Sequence, residues 1–247
     1  MSENWDFYAL QVDGEPASIF LDLGMQSDAP HRALSHMAYV SLAMNQPRPD
    51  GLSSHEEFDA LLKIEKAMQA NLCAENVVYV GRNTSGGSRD FYFYTSAPES
   101  WQSKVARVLS VFDDYEYEAD TREHAKWSTY FDFLLPGEID RQRIENRRVC
   151  QALEQRGDAL VAEREIDHWS YFDKPAAADA YLAEIVASGF VLRARSVSDE
   201  GELRHVVQAW RADVPSYRTI DAVTLPLFEA AARHGGRYDG WECPVEA

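Results

Sequence analysis

No stretch of the chain reaches the roughly 18 consecutive apolar residues that a bilayer-spanning helix needs, so no membrane span is expected. The N-terminal MSENWDFYAL lacks a basic segment followed by an apolar one, so no secretory signal is expected either. Cysteine is scarce. Cys73, Cys150 and Cys243 stand far apart, odd in number and without a C-x-x-C pair, which argues against a disulfide framework and fits reduced thiols in a cytosol. Basic residues are scarce too: 24 Lys and Arg face 41 Asp and Glu, a formal net charge of −17, most of it carried by residues 1–135. Such a surface repels phosphate backbones, so direct nucleic-acid binding is not expected. It suits a basic protein partner, whose approach the field would steer.

Catalytic signatures are missing as well. The seven histidines (His31, His36, His55, His124, His168, His205, His234) include no pair at the i, i+4 helical spacing of metalloproteases and join no Cys/His cluster, so no metal site is expected. Nothing resembles G-x-S-x-G. The carboxylates of FDDYEYEAD read as a solvated face, because general acid–base work needs a pair in a pocket with separated pKa values. Neither a catalytic residue nor a cofactor is expected.

The chain does have enough length and apolar content, at 247 residues and 45% hydrophobic, to fold as one large or two ordinary domains. WDFYALQV and ASIFLDLGM, around the Asp13-Gly14 turn, predict a hairpin. HMAYVSLAM predicts a buried strand. A helix follows, with Ser54 as its cap, Glu57 completing a capping box, and Phe58, Leu61, Leu62, Met68 and Leu72 as its apolar stripe. NVVYVGRNTSGGSRDFYFYTS predicts two strands around a Gly-rich turn. The next helix is expected to take Ser96 as N-cap and to bury Trp101, Val105, Val108, Leu109 and Phe112. DYEYEAD and WSTYFDFLL are read as closing strands.

Pro136-Gly137 then breaks the chain, and residues 137–160 are expected to form a connecting helix with a thin apolar stripe (Ile139, Ile144, Val149, Cys150, Leu153). Residues 161–247 repeat the order strand, helix, strand, strand, helix, strand. Their first helix takes Asp173 as cap, buries Tyr181, Leu182, Ile185 and Val186, and stops at Gly189. The second helix runs through Pro226, and RYDGWECPV closes the domain. Each half therefore predicts an α+β ferredoxin-like βαββαβ fold with an antiparallel sheet, with domains at 1–136 and 161–247. The words KWSTYFDF and HWSYFD share letters, but the extra Thr129 shifts the pleat, so the echo is strand composition and not a duplicated site.

Two places are candidate sites. Trp169, Tyr171, Tyr238, Asp239 and Trp241 could form a partner-binding surface, since Trp and Tyr dominate hot spots; the favoured reading is structural, with Gly240 bending a strand and Trp241 filling the core. The tip GRNTSGGSR, with Arg82, Ser85, Gly86, Gly87 and Arg89, could cradle an anion, but it joins two strands and lacks phosphate-loop geometry, and a mobile hairpin tip is the favoured reading.

On the residues Trp169-Ser170-Tyr171-Phe172, SGF (Ser188–Phe190) and above all GGRYDGWECPV (Gly235–Val245), the second half resembles the regulator of ribonuclease activity B family. On DGL (Asp50–Leu52), LLKIEKAM, VYVGRNTSGGSRDFYFYT and WSTYFDFLLP, the first half resembles the bacterial family of unknown function DUF695. The first resemblance implies a ferredoxin-like module that binds the scaffold region of the endoribonuclease RNase E and lowers its activity. A non-enzymatic cytoplasmic regulator with a basic protein partner is therefore expected. The alternative is a small-ligand sensor or enzyme with a pocket in the N-terminal domain or at the domain junction.

Overall fold

The computed structural model describes residues 2, 4–12, 14–199 and 201–246. Asp13 of the first turn and Glu200 of SDEGE lie outside the described residues. The chain divides into two compact units, residues 1–136 and 137–247.

In the first unit, β1 (Trp5–Val12) and β2 (Glu15–Asp22) form the expected hairpin, followed by β3 (His36–Ala43), α1 (His55–Leu72), β4 (Val77–Ser85), β5 (Ser88–Thr95), α2 (Trp101–Leu109) and β6 (Tyr117–Glu123). The antiparallel sheet runs β1-β2-β4-β5-β3-β6. Its four strands β4-β5-β3-β6 have the ferredoxin-like order, and the hairpin extends that sheet past β4. The core lies between α1 and α2 and one sheet face, where Leu61, Ile64, Met68, Trp101 and Val105 meet Val40, Tyr79, Phe91 and Phe93. Alternation on the strands and helical spacing on α1 put these residues inward.

Several local expectations give way to stronger contacts. WSTYFDFLL is not a strand. Thr129–Leu134 forms a π-helical turn, closed by the Leu135 N–H donating to the Tyr130 carbonyl at 2.9 Å. Trp127 enters it with φ of 56°. Its indole stacks on Tyr94 at 3.7 Å and donates to the Leu34 carbonyl, while Tyr130 donates to the Asp22 carbonyl. Burial of three aromatic rings wins over the alternating pattern. β2 stops at Asp22, whose carboxylate accepts from the Gly24 N–H and starts a 3-10 turn. Ser54 caps α1, but Glu57 does not complete a capping box, because its carboxylate accepts the Asn45 and Gln46 N–H groups instead. Ser96 caps nothing; a 3-10 turn at Pro98–Ser100 leads into α2 without a side-chain cap. Phe58, expected inward, is exposed.

The second unit comprises α3 (Glu138–Glu154), β7 (Arg164–Phe172), α4 (Pro175–Ala187), β8 (Val191–Val197), β9 (His205–Asp213), α5 (Ile220–Arg233) and β10 (Arg237–Glu242). Its antiparallel sheet has the order β10-β7-β9-β8, again ferredoxin-like. α4 and α5 cover one face, burying Phe172, Tyr181, Ile185, Val207, Val223 and Leu227. Asp173 is exposed and gives α4 no cap, and Val186 points outward. Gly189 ends α4 at φ of 89°, as the sequence predicts.

α3, expected as a connector, packs on α5 and β10. Cys150 and Leu153 join Leu160, Ile166, Ile220 and Trp241 in a second core. Ile139 lies outside this stripe and is exposed.

Candidate functional site

Where α3 runs along the edge strand β10, a polar network replaces apolar packing. Asn146, buried on the inner face of α3, accepts from the Trp241 indole N–H and from the Gln142 amide through Oδ1, both at 3.0 Å. Its Nδ2 donates to Asp221 Oδ1 and Thr224 Oγ1 on α5, each at 2.7 Å. One side chain thus ties together α3, α5 and β10, every bond satisfied, as a buried amide requires.

Beside this tie lies a groove of about 260 Å³ lined by Trp169, Trp241, Glu145, Asp239 and Glu242 among others. It adjoins a broader cleft of about 570 Å³ that shares Gln142, Glu145 and Asp239 and adds Glu138, Arg141 and Arg237. Four carboxylates and two guanidiniums therefore edge the two openings, with a half-buried Trp169 ring in the wall. The bulge between Tyr238 and Gly240 shapes this edge. Gly240 has φ of 135°, a conformation few side chains tolerate, so glycine lets the strand kink and Asp239 face outward.

β7 alternates cleanly. Arg164, Ile166, His168, Ser170 and Phe172 are buried, while Glu165, Asp167, Trp169 and Tyr171 lie on the other face. The five expected partner-binding residues are accordingly split. Trp169 and Tyr171 share the face that α4 and α5 leave uncovered, and Asp239 is exposed on the bulge. Tyr238 and Trp241 are only 4% and 6% exposed and point into the helix-covered core. Both are therefore core residues and not part of an exposed surface. Tyr238 bonds to His168 Nδ1 at 2.8 Å, and Trp241 holds Asn146.

On the uncovered face, Arg193 pairs with Asp167 and Glu165 and lies over Trp210 at 5.2 Å, and Arg237 lies over Tyr171 at 5.7 Å. The face already shows how guanidinium groups bind it: stacked on an aromatic ring and held by a carboxylate.

The Gly-rich tip of the first unit is not free-swinging. The Gly87 N–H donates to the Gly51 carbonyl and the Met44 N–H to that of Gly87, both at 2.9 Å. A Cβ on Gly51 would stand 2.7 Å from the Gly86 nitrogen. Ser85, Gly86 and Gly87 make the tight turn between β4 and β5. Arg82 and Arg89 line a cavity of about 420 Å³ in the same unit.

Asn146, Gln142, Glu145 and Glu242 were not foreseen. A signal existed for the first two: Gln142, Asn146, Cys150 and Leu153 are spaced 4, 4 and 3 residues apart, one face of α3, so two amides stood in line with its apolar stripe. Among the described residues, no cluster of His, Cys, Asp or Glu is placed to hold a metal ion, and no helix is long and apolar enough to cross a membrane.

Fold and groove together define a two-unit α+β protein built from ferredoxin-like modules. The sequence model of the family of unknown function DUF695 matches residues 3–135, more than half of the chain, and the chain belongs to that family. Residues 143–243 match the model described as regulator of ribonuclease activity B, a regulatory family, from within α3 to just past β10. No curated protein matches the chain. Among solved structures, that of an unknown protein from Galdieria sulphuraria aligns over 84% of this chain and 97% of its own at 9% identity, with a TM-score of 0.23, too low to establish a shared overall fold.

Proposed function

We propose that this chain is a non-enzymatic cytoplasmic regulator that lowers the activity of an endoribonuclease by binding a basic segment of that enzyme, such as an RNase E-like scaffold region, through its second unit. The observation carrying this reading is the match to the ribonuclease-regulator family, which spans the elements that build the acidic groove. Arg or Lys side chains from the partner stack on Trp169 and Tyr171 and bond to Asp239, Glu145 and Glu242, a mode that the internal Arg193 and Arg237 pairs already support. Trp169→Ala should weaken capture of the basic scaffold segment about thirtyfold, the scale of a hot-spot tryptophan, with an unchanged melting temperature. Raising salt toward 1 M should strip the partner from the wild type by screening. Capture that survives both treatments contradicts the reading.

A further inference from the structure

The first unit holds a cavity of about 420 Å³ whose wall includes Arg89, Arg82, Arg48, Phe20, Phe58 and Leu52. Arg89 is the exceptional member. It is 2% exposed, and its hydrogen-bonding partners among the described residues are neutral: Nε donates to Thr84 Oγ1 at 3.0 Å and Nη2 to Ser53 Oγ at 3.1 Å. Nη1 is buried with no partner among the described residues. Loss of solvent, with Arg82 adding repulsion, pushes the guanidinium down to about 10. A buried cation left without a counter-ion is costly, and it stands here in a chain with a large excess of carboxylates.

Three carboxylates of this unit, Glu65, Asp50 and Glu57, are bonded elsewhere. Glu65 accepts Arg82 Nε at 2.8 Å and the Tyr79 hydroxyl at 2.9 Å. Asp50 pairs with Arg48 at 2.5 Å. Glu57 is committed to two backbone N–H groups. Of the three guanidiniums, Arg48 and Arg82 each bond a carboxylate, whereas Glu57 and Glu65 act on Arg89 only from a distance, so among the described residues Arg89 has no carboxylate bonded to it. The rest of the wall is mostly apolar: the Phe20 ring lies under Arg82 at 4.7 Å, with Phe7, Phe58 and Leu52 around it, and Ser18, Ser53 and Thr84 add hydroxyls.

We infer that this cavity binds a small organic monoanion, a carboxylate on an apolar body, with the carboxylate on Arg89 and the body against Phe20, Phe58 and Leu52. One guanidinium without a bonded carboxylate favours one negative charge over the two of a phosphate monoester. The size falls within the range of small-ligand sites, which combine apolar walls with a few placed polar groups. The site lies wholly in the first unit and is independent of the docking groove in the second.

The test is calorimetric titration and thermal shift on the full chain with 3-phenylpropionate, 4-methylpentanoate and octanoate, each to 10 mM, beside 3-phenylpropanamide and inorganic phosphate. At least one acid should bind saturably and raise the melting temperature, since a ligand of the folded state alone stabilises it, while the amide and phosphate do neither. Arg89→Met should abolish binding and leave the unliganded melting temperature equal or higher, because it removes an unpaired buried charge. Phe58→Ala, at an exposed position, should weaken binding about tenfold, the loss expected for an apolar wall. Silence from all three acids, equal binding of the amide or phosphate, or undiminished binding by Arg89→Met in its folded form overturns the assignment.

Discussion

Asn146 and His168 carry more of the second unit than their small numbers of atoms suggest. Replacing Asn146 with Leu strands the Trp241 N–H, Gln142 and the buried Thr224 together, so the variant should lose about 2–3 kcal/mol in denaturant unfolding. His168 is buried between Tyr238 and the Phe190 ring, and loss of solvent, with Arg211 second, pushes its imidazole down to about 3. The folded state therefore keeps it neutral where the unfolded chain, with a histidine near 6.5, binds a proton. Stability from this residue is full above pH 6.5 and is lost as pH falls from there toward 3. Between pH 7 and pH 5 the difference amounts to about 2 kcal/mol. Urea unfolding of wild type and His168→Gln at both values should show that decrement in the wild type and a correspondingly flatter profile in the variant. The sequence marked Tyr238 and Trp241 as aromatic, but not which way they face. A one-residue bulge reassigns faces, and nothing in the letters YDGW distinguishes a core ring from a surface one except the glycine that permits the bulge.

At the scale of elements, all five α-helices and all ten strands were legible, because period-2 and helical spacings decide them wherever one face is buried; one further strand, WSTYFDFLL, was expected where none forms. Failures cluster where tertiary bonds outbid local pattern. Trp127 and Tyr130 each reach a carbonyl far away in sequence, Leu34 and Asp22, and that turns an alternating stretch into a π-helical turn. Glu57 leaves its helix cap for two loop amides. α3 is the most instructive case. Its apolar stripe looked too thin for a packed helix, because two of its inward positions are the amides Gln142 and Asn146. Its packing on Trp241, Ile220 and Ile166 makes it part of the second unit's fold. A fragment of residues 161–247 should accordingly melt without cooperativity, whereas 137–247 should retain a sharp transition by near-ultraviolet circular dichroism. Equal cooperativity of the two fragments would reduce α3 to a tether.

Across the whole molecule, two ferredoxin-like sheets recur with different accessories, a β1–β2 hairpin in the first and α3 in the second. The accessories sit beside the two candidate sites: Phe20 of β2 lines the cavity around Arg89, and α3 forms one bank of the acidic groove. Net charge was readable from composition and set the expectation of a basic partner; the unpaired Arg89 was not, because a charge count says nothing about where counter-ions fall short. The most direct test of the regulatory account is the RNA-cleavage rate of an RNase E-type endoribonuclease bearing its scaffold region, titrated with this chain at physiological salt. The account predicts a saturable fall in rate whose midpoint moves about thirtyfold higher with Trp169→Ala; a rate unchanged by a large excess of the wild-type chain, or lowered equally by the variant, contradicts it.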